Sequence, residues 1–104
     1  MITVANKKAR FRPMPQDVYI GRPGPFGNPF EIGRDGDRAQ VIELYRRHLS
    51  QRIKVERDQV LIKALINIPD DARLVCWCAP LACHGDILAK VIPWLKKNQS
   101  EYLD

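Results

Sequence analysis

Two patterns of apolar positions alternate along this chain. A β-branched run at residues 2–4 and short apolar runs at residues 17–21 and 73–78 predict three strands. Elsewhere, apolar residues recur every three or four positions, which predicts helices. The order strand, strand, helix, helix, strand, helix indicates an α/β fold. We expect a small, mainly parallel sheet of about three strands with helices packed on it, in two layers or in a Rossmann-like three-layer arrangement.

The predicted helices follow residues that can cap them. The first begins after Asp35 or Asp37, because either carboxylate can accept the unpaired N–H groups of a first turn. The second is predicted at residues 56–67 and the last at residues 86–98. The buried stripe expected for the second helix is Val60, Leu61, Ala64, Leu65 and Ile68.

The two most unusual segments follow the second and third predicted strands. Residues 22–30 hold three prolines and two glycines, so they form a loop with a particular backbone path. Residues 76–84 hold every cysteine of the chain and one of its two histidines. The two strands are joined through helices, so they are most simply parallel neighbours linked by a right-handed crossover. Ligands of open α/β sheets bind beyond the carboxyl ends of the strands, and we therefore expect both loops to form one site there.

The sulfur-rich segment supplies candidate metal ligands. Cys76, Cys78, Cys83 and His84 are a chemically complete tetrahedral set for zinc. Their Cys-x-Cys-x4-Cys-His spacing matches no common zinc finger, so two alternatives stay open. In one, Cys83 is a catalytic thiolate stabilised by His84 and by a helix N-terminus. In the other, the cysteines pack as small buried apolar residues.

Three further residues predict an anion site beside the sulfur ligands. Arg22 directly follows a strand, where its guanidinium could bind a phosphate or pair with an acidic side chain. Asn28 could hydrogen-bond its own loop or reach a ligand. Arg38 stands near a helix start, where cations are disfavoured, so its position points to an anionic partner.

Aromatic residues accompany both loops. Trp77 lies between two cysteines of the predicted strand and therefore faces the opposite side, where we expect it in the core. Phe26 and Phe30 could stack on a base, but we expect them to pack within the proline-rich loop.

Composition adds a preference for polyanions. The chain has 104 residues, a net charge of +5 and a pI near 9.4. We expect one domain over residues 1–104, with a basic loop or arm at residues 5–16. The residues predicted to bind nucleic acid are Lys7, Lys8, Arg10, Arg12, Arg46 and Arg47.

Location follows from what the sequence lacks. No stretch approaches the roughly 18 apolar residues of a membrane span, and the N-terminus has no signal-peptide hydrophobic region. An odd number of cysteines fits a reducing compartment. We therefore expect a protein of the bacterial cytoplasm with no membrane partner; its oligomeric state is not readable from the sequence.

The motifs together resemble one family. They are Val18-Tyr19-Ile20-Gly21-Arg22, Phe26-Gly27-Asn28-Pro29-Phe30, Asp37-Arg38 and the segment from Cys76 to Asp86. They are similar to domain-of-unknown-function family 4326, and the resemblance covers roughly residues 17–95. It implies a compact α/β domain in a phage or bacterial setting, without a settled activity.

Three functions follow from these features. The first is recognition of a nucleotide or nucleic acid at a Cys/His site that holds zinc. The second is an enzyme acting on a nucleotide or modified base through Cys83 and His84 or a metal-bound water. The third is a factor that binds a host protein through its basic surface. No Walker loop, G-x-G-x-x-G or H-x-E signature assigns the chain to a known nucleotide class.

Overall fold

The structure, a computed structural model, describes residues 1–7, 11–77 and 82–104. It has the predicted small α/β fold, with three parallel strands and helices packed against them. In chain order the elements are β1 (Thr3–Asn6), β2 (Asp17–Tyr19), α1 (Arg38–Ser50), a π-helical segment (Gln51–Val55), α2 (Gln59–Ile66), β3 (Arg73–Cys76), α3 (His84–Lys97) and α4 (Gln99–Tyr102).

Strand β3 is the centre of the sheet. The strand order is β1-β3-β2, and both neighbours run parallel to β3. The prediction that β2 and β3 are parallel neighbours is therefore confirmed, with Val18 opposite Leu74. Leu74, Val75 and Cys76 are all buried, as expected for a central parallel strand covered on both faces. The carboxyl ends of β2 and β3 consequently lie side by side.

An ion pair joins β2 and β3 at the end of the sheet opposite their carboxyl ends. Arg73 begins β3 and Asp17 begins β2. The Arg73 guanidinium donates to both carboxylate oxygens of Asp17, at 2.7 and 2.8 Å. This bond from Arg73 lowers the pKa of Asp17 from its usual range. The ion pair thereby joins the amino ends of the two strands. A binding site can form at their carboxyl ends, where this ion pair is absent.

The caps fix where the helices begin. Asp37, one of the two predicted caps, accepts from the Gln40 N–H, and the Gln40 side chain accepts from the Asp37 N–H. Asp58 caps α2 by accepting from the Leu61 N–H, so α2 starts three residues later than predicted. The π-helical segment before it was not predicted; it places Ile53 in the core.

The predicted stripe of α2 is wrong at Val60. This side chain is 84% exposed, whereas Leu61, Ile62 and Leu65 are buried. Residues 60–62 are all apolar, so the sequence is compatible with burial of either of two neighbouring stripes on this helix. Packing against α3 selects the one that contains Ile62. In the described part of the chain, no helix is long and apolar enough to cross a membrane.

Candidate functional site

A cavity of about 490 Å³ opens beyond the carboxyl ends of β2 and β3. Its walls come from the loop after β2, the start of α1, the end of β3 and the start of α3. Six residues singled out in the sequence line it together: Arg22, Asn28, Arg38, Cys76, Cys83 and His84. The structure thus gathers the predicted anion-binding and sulfur residues that it describes. Cys78 lies outside the described residues.

Cys83 occupies the N-cap of α3. Its Sγ accepts from the Gly85 N–H at 3.2 Å, and the Asp86 carboxylate accepts from the Cys83 N–H at 3.1 Å. Gly85 is needed here, because an added Cβ would lie 2.8 Å from Ile20 Cδ1 and 3.1 Å from Val4 Cγ1. The helix start is therefore pressed against the sheet. An N–H donor and the positive end of the helix favour negative charge on the Cys83 sulfur, whereas its burial at 3% exposure opposes that charge.

His84 is buried beside this cap, at 7% exposure. Its Nε2 lies 2.6 Å from the Ile20 carbonyl oxygen, and its ring meets the Tyr45 ring edge-to-face at 4.9 Å. Burial lowers the pKa of His84 from its usual range, against the opposing effect of the Ile20 carbonyl. The imidazole is therefore neutral near pH 7, with a proton on Nε2 to donate to Ile20.

The two described cysteine sulfurs have a spacing compatible with zinc. Cys76 Sγ and Cys83 Sγ are 3.5 Å apart. Two thiolates at tetrahedral corners about 2.3 Å from zinc would be about 3.8 Å apart. Within residues 1–7, 11–77 and 82–104 there is no group of three or more potential ligands placed to hold a metal. Since Nε2 of His84 faces Ile20, this ring could reach a metal only through Nδ1.

Arg22 stands at the cavity in an ion pair. Its Nη1 lies 3.0 Å from Glu31 Oε1, and both side chains are about half-exposed. The Tyr19 hydroxyl donates to the Arg22 carbonyl at 3.0 Å and fixes the start of the loop. The peptide bond between Arg22 and Pro23 is cis. The acidic partner that the sequence left open for Arg22 is therefore Glu31.

Asn28 and Arg38 both contact backbone. Asn28 Oδ1 accepts from the Phe30 N–H at 2.9 Å, and Nδ2 donates to the Val41 carbonyl at 3.1 Å. These bonds are the loop role expected for Asn28, and they also attach the loop to α1. Arg38 Nη1 donates to the Ala82 carbonyl at 3.0 Å. Arg38 therefore joins the start of α1 to the segment before α3.

A hydrogen bond from Tyr45 attaches the proline-rich loop to α1. Its hydroxyl donates to the Phe26 carbonyl at 3.0 Å, and its side chain is only 3% exposed. Burial raises the pKa of Tyr45 well above its usual range, so the hydroxyl keeps its proton. Phe26 is buried and Phe30 contacts the His48 ring edge-on, as expected for packing residues.

Trp77 is not in the core, so that prediction is wrong. The side chain is 52% exposed at the mouth of the cavity, because β3 ends at Cys76 and strand alternation no longer applies. The Trp77 Nε1–H donates to the Tyr19 hydroxyl at 3.3 Å. Tyr19 was not predicted as a site residue. Gly21 leaves room for it, since an added Cβ there would lie 2.3 Å from the Tyr19 hydroxyl.

The predicted nucleic-acid residues of α1 are held by an acidic neighbour. Arg46 contacts both carboxylate oxygens of Glu43, and Arg47 contacts one of them. The bond from Arg46 is the main cause that lowers the pKa of Glu43 to about 2. The carboxylate offsets part of the charge that this pair of arginines presents.

The predicted basic arm is described only at its ends. Strand β1 continues to Asn6, two residues into residues 5–16. Lys7 donates its backbone N–H to the Cys76 carbonyl at 2.8 Å, and the Arg12 carbonyl accepts from the Arg73 side chain at 2.7 Å. Lys8 and Arg10 lie outside the described residues.

Comparison with known proteins agrees with the resemblance seen in the motifs. The family model of a domain of unknown function (DUF4326) matches residues 4–94. The chain is also 36% identical, over 89 residues, to an uncharacterized 12.4 kDa protein in the nrdA-td intergenic region of Enterobacteria phage T4. That alignment covers 85% of this chain and 78% of the phage protein. No solved structure matches. The chain belongs to the DUF4326 family.

Proposed function

We propose that this protein binds a nucleotide in the cavity beyond β2 and β3. The observation that carries the proposal is the convergence on one cavity of two arginines, the N-terminus of α3 and aromatic and aliphatic side chains. A nucleotide needs both kinds of surface, since its phosphate is anionic and its base is flat and largely apolar. The volume of about 490 Å³ lies in the usual range for small-molecule sites.

The phosphate is assigned to the Arg38 side of the cavity. A guanidinium carries five N–H donors, and the bond to the Ala82 carbonyl uses one of them. A carbonyl is uncharged, so it does not neutralise Arg38 as Glu31 neutralises Arg22. Arg38 also stands beside the start of α3, where the helix dipole adds positive potential. Arg22 is the secondary anion contact, because a phosphate must compete with Glu31 for it.

The base is assigned to the apolar wall. Phe30, Val41 and Ile42 line the cavity on the side of α1. Phe30 is held in place by its contact with the His48 ring and by the bond between its N–H and Asn28. A wall ordered in this way loses little conformational entropy when a flat base packs on it.

Arg38→Gln tests this assignment by calorimetry with adenosine, guanosine, cytidine, uridine and thymidine monophosphates. The loss of a charge-assisted phosphate contact costs roughly 1.5–3 kcal/mol, which is a 10- to 150-fold weaker Kd. Arg46→Gln is the matched control, because Arg46 is bound to Glu43 and lies outside the cavity. If no monophosphate binds at millimolar concentration, or if Arg38→Gln binds as tightly as the native chain, the proposal fails.

A second candidate function is thiol or zinc chemistry at the same cavity. The supporting observation is the 3.5 Å approach of Cys76 and Cys83, with the Gly85 N–H directed at the Cys83 sulfur. With zinc, Cys76 and Cys83 would be ligands together with Cys78 and His84, and the ion would supply Lewis acidity. Without zinc, Cys83 would be the nucleophile and the neutral His84 would stay a positioning residue bound to Ile20. Stoichiometric metal analysis of protein purified without added zinc separates the two.

A further inference from the structure

Two exposed aromatic side chains stand at the mouth of the cavity. Trp77 is 52% exposed and Tyr19 is 37% exposed. We call this pair the aromatic platform. Both residues also line the cavity, so the platform and the cavity form one continuous surface. Exposed tryptophan and tyrosine are common at binding surfaces, because they offer large contact areas at a small cost in conformational entropy.

The platform is held in a fixed arrangement. Trp77 Nε1–H donates to the Tyr19 hydroxyl at 3.3 Å, and that hydroxyl donates to the Arg22 carbonyl at 3.0 Å. These two hydrogen bonds link the carboxyl ends of β2 and β3 through the side chains of Tyr19 and Trp77. A rigid pair of this kind is suited to stacking and would not need to be ordered by a ligand.

A cation stands next to the platform. Lys7 Nζ lies 5.2 Å from the centre of the Tyr19 ring. The Lys7 backbone is bonded to the Cys76 carbonyl at 2.8 Å, which fixes where its side chain starts. In the sequence, Lys7 opens the basic stretch of residues 7–12. An aromatic surface beside a cation is typical of proteins that bind single-stranded nucleic acids.

We propose that the nucleotide in the cavity belongs to a single-stranded nucleic acid, whose neighbouring base stacks on the aromatic platform and whose backbone passes Lys7. This inference rests on the proposed nucleotide function and names its ligand class. A free nucleotide has one base, which is assigned to the wall of Phe30, Val41 and Ile42, so a second base is needed to stack on the aromatic platform. Bases within a duplex are stacked on both faces, so they cannot stack on Trp77 without first being unstacked from a neighbouring base.

The chain offers a direct spectroscopic test, because Trp77 and Trp94 are its only tryptophans. Trp94→Phe leaves Trp77 as the sole tryptophan. Its fluorescence is followed during titration with a ten-nucleotide oligothymidylate, a ten-nucleotide oligouridylate, a ten-base-pair duplex and thymidine monophosphate. Stacking should quench the fluorescence of Trp77 with either single strand. Each single strand should bind at least tenfold more tightly than the monophosphate or the duplex. Whichever single strand binds more tightly identifies DNA or RNA.

Variants of the two tryptophans complete the test, with labelled oligonucleotide anisotropy as the readout. Trp77→Ala should weaken single-strand binding by roughly 5- to 150-fold, as expected for the loss of one base stack, and Trp77→Phe should restore most of it. Trp94→Ala is the control: Trp94 is also partly exposed, packs on Tyr102 and should change affinity less than twofold. Circular dichroism checks that each variant is folded.

The outcomes distinguish failure of this inference from failure of the proposed nucleotide function. If monophosphates bind but oligonucleotides bind no more tightly and leave Trp77 fluorescence unchanged, the inference is overturned and the nucleotide site stands. The inference is also overturned if Trp77→Ala weakens oligonucleotide binding less than twofold. If neither monophosphates nor single strands bind, the nucleotide function itself is refuted.

Discussion

Tyr45→Phe should destabilise the protein through the loop that forms the site. The substitution deletes one hydroxyl, which donates to the Phe26 carbonyl at 3.0 Å in a buried position. The ring keeps its packing, including its edge-to-face contact with His84, so no cavity is created. The change therefore isolates a single hydrogen bond between α1 and the proline-rich loop.

The expected size follows from the burial of the bond. A typical hydrogen bond contributes about 0.5–1.5 kcal/mol, and a buried carbonyl left without a partner costs about 1–3 kcal/mol. We therefore expect a loss of about 1–2 kcal/mol in the free energy of unfolding. With a urea m-value of about 1–3 kcal/mol/M, the midpoint should fall by about 0.3–2 M.

Urea denaturation followed by circular dichroism measures this loss. Tyr102→Phe is the control, because Tyr102 is also buried but belongs to α4, away from the cavity. Its midpoint should change less than that of Tyr45→Phe. A Tyr45→Phe variant as stable as the native chain, or one no less stable than Tyr102→Phe, would refute the reasoning that this bond holds the loop.

Two further predictions concern the imidazole and the thiols. In metal-free protein, burial lowers the pKa of His84, so the unfolded chain binds the proton more readily and stability is lost as the pH falls below about 6.5. Urea titrations should show a loss of at most about 1.4 kcal/mol per pH unit from this group, absent in His84→Gln and retained in His48→Gln; an unchanged profile in His84→Gln would contradict it. If metal analysis finds no zinc, iodoacetamide should modify Cys83 at neutral pH faster than a thiol of pKa ~8.5 and faster than Cys76; equal, slow rates would exclude an activated thiolate.

Much of the framework could be predicted because it depends on local chemistry. The cap at Asp37 is set by one carboxylate before an apolar stripe. The parallel pairing of β2 and β3 follows from the helices between them. Strands paired in this way bring their following loops together, so the meeting of Arg22 and Cys83 at one cavity was also readable from the sequence.

The predictions that were wrong or missing concern where an element ends, how a helix is rotated and which path a loop takes. Strand alternation would place Trp77 in the core, but β3 stops one residue earlier. Val60 and Ile62 are both apolar, and packing decides which one is buried. Glu31 was not predicted as the partner of Arg22, since eight loop residues lie between them and the ion pair depends on the path of that loop.

The most direct test of the nucleotide site is a titration of ¹⁵N-labelled protein with nucleoside monophosphates, followed by amide chemical shifts. Gly21 and Gly85 serve as reporters, because Gly21 lines the cavity and Gly85 follows His84 at the start of α3. Lys63, on α2 and outside the cavity, is the reference. If a nucleotide binds in the cavity, the amide signals of Gly21 and Gly85 should shift in a saturable way, with little change at Lys63. Shifts that are absent, or that cluster away from β2 and α3, would contradict it.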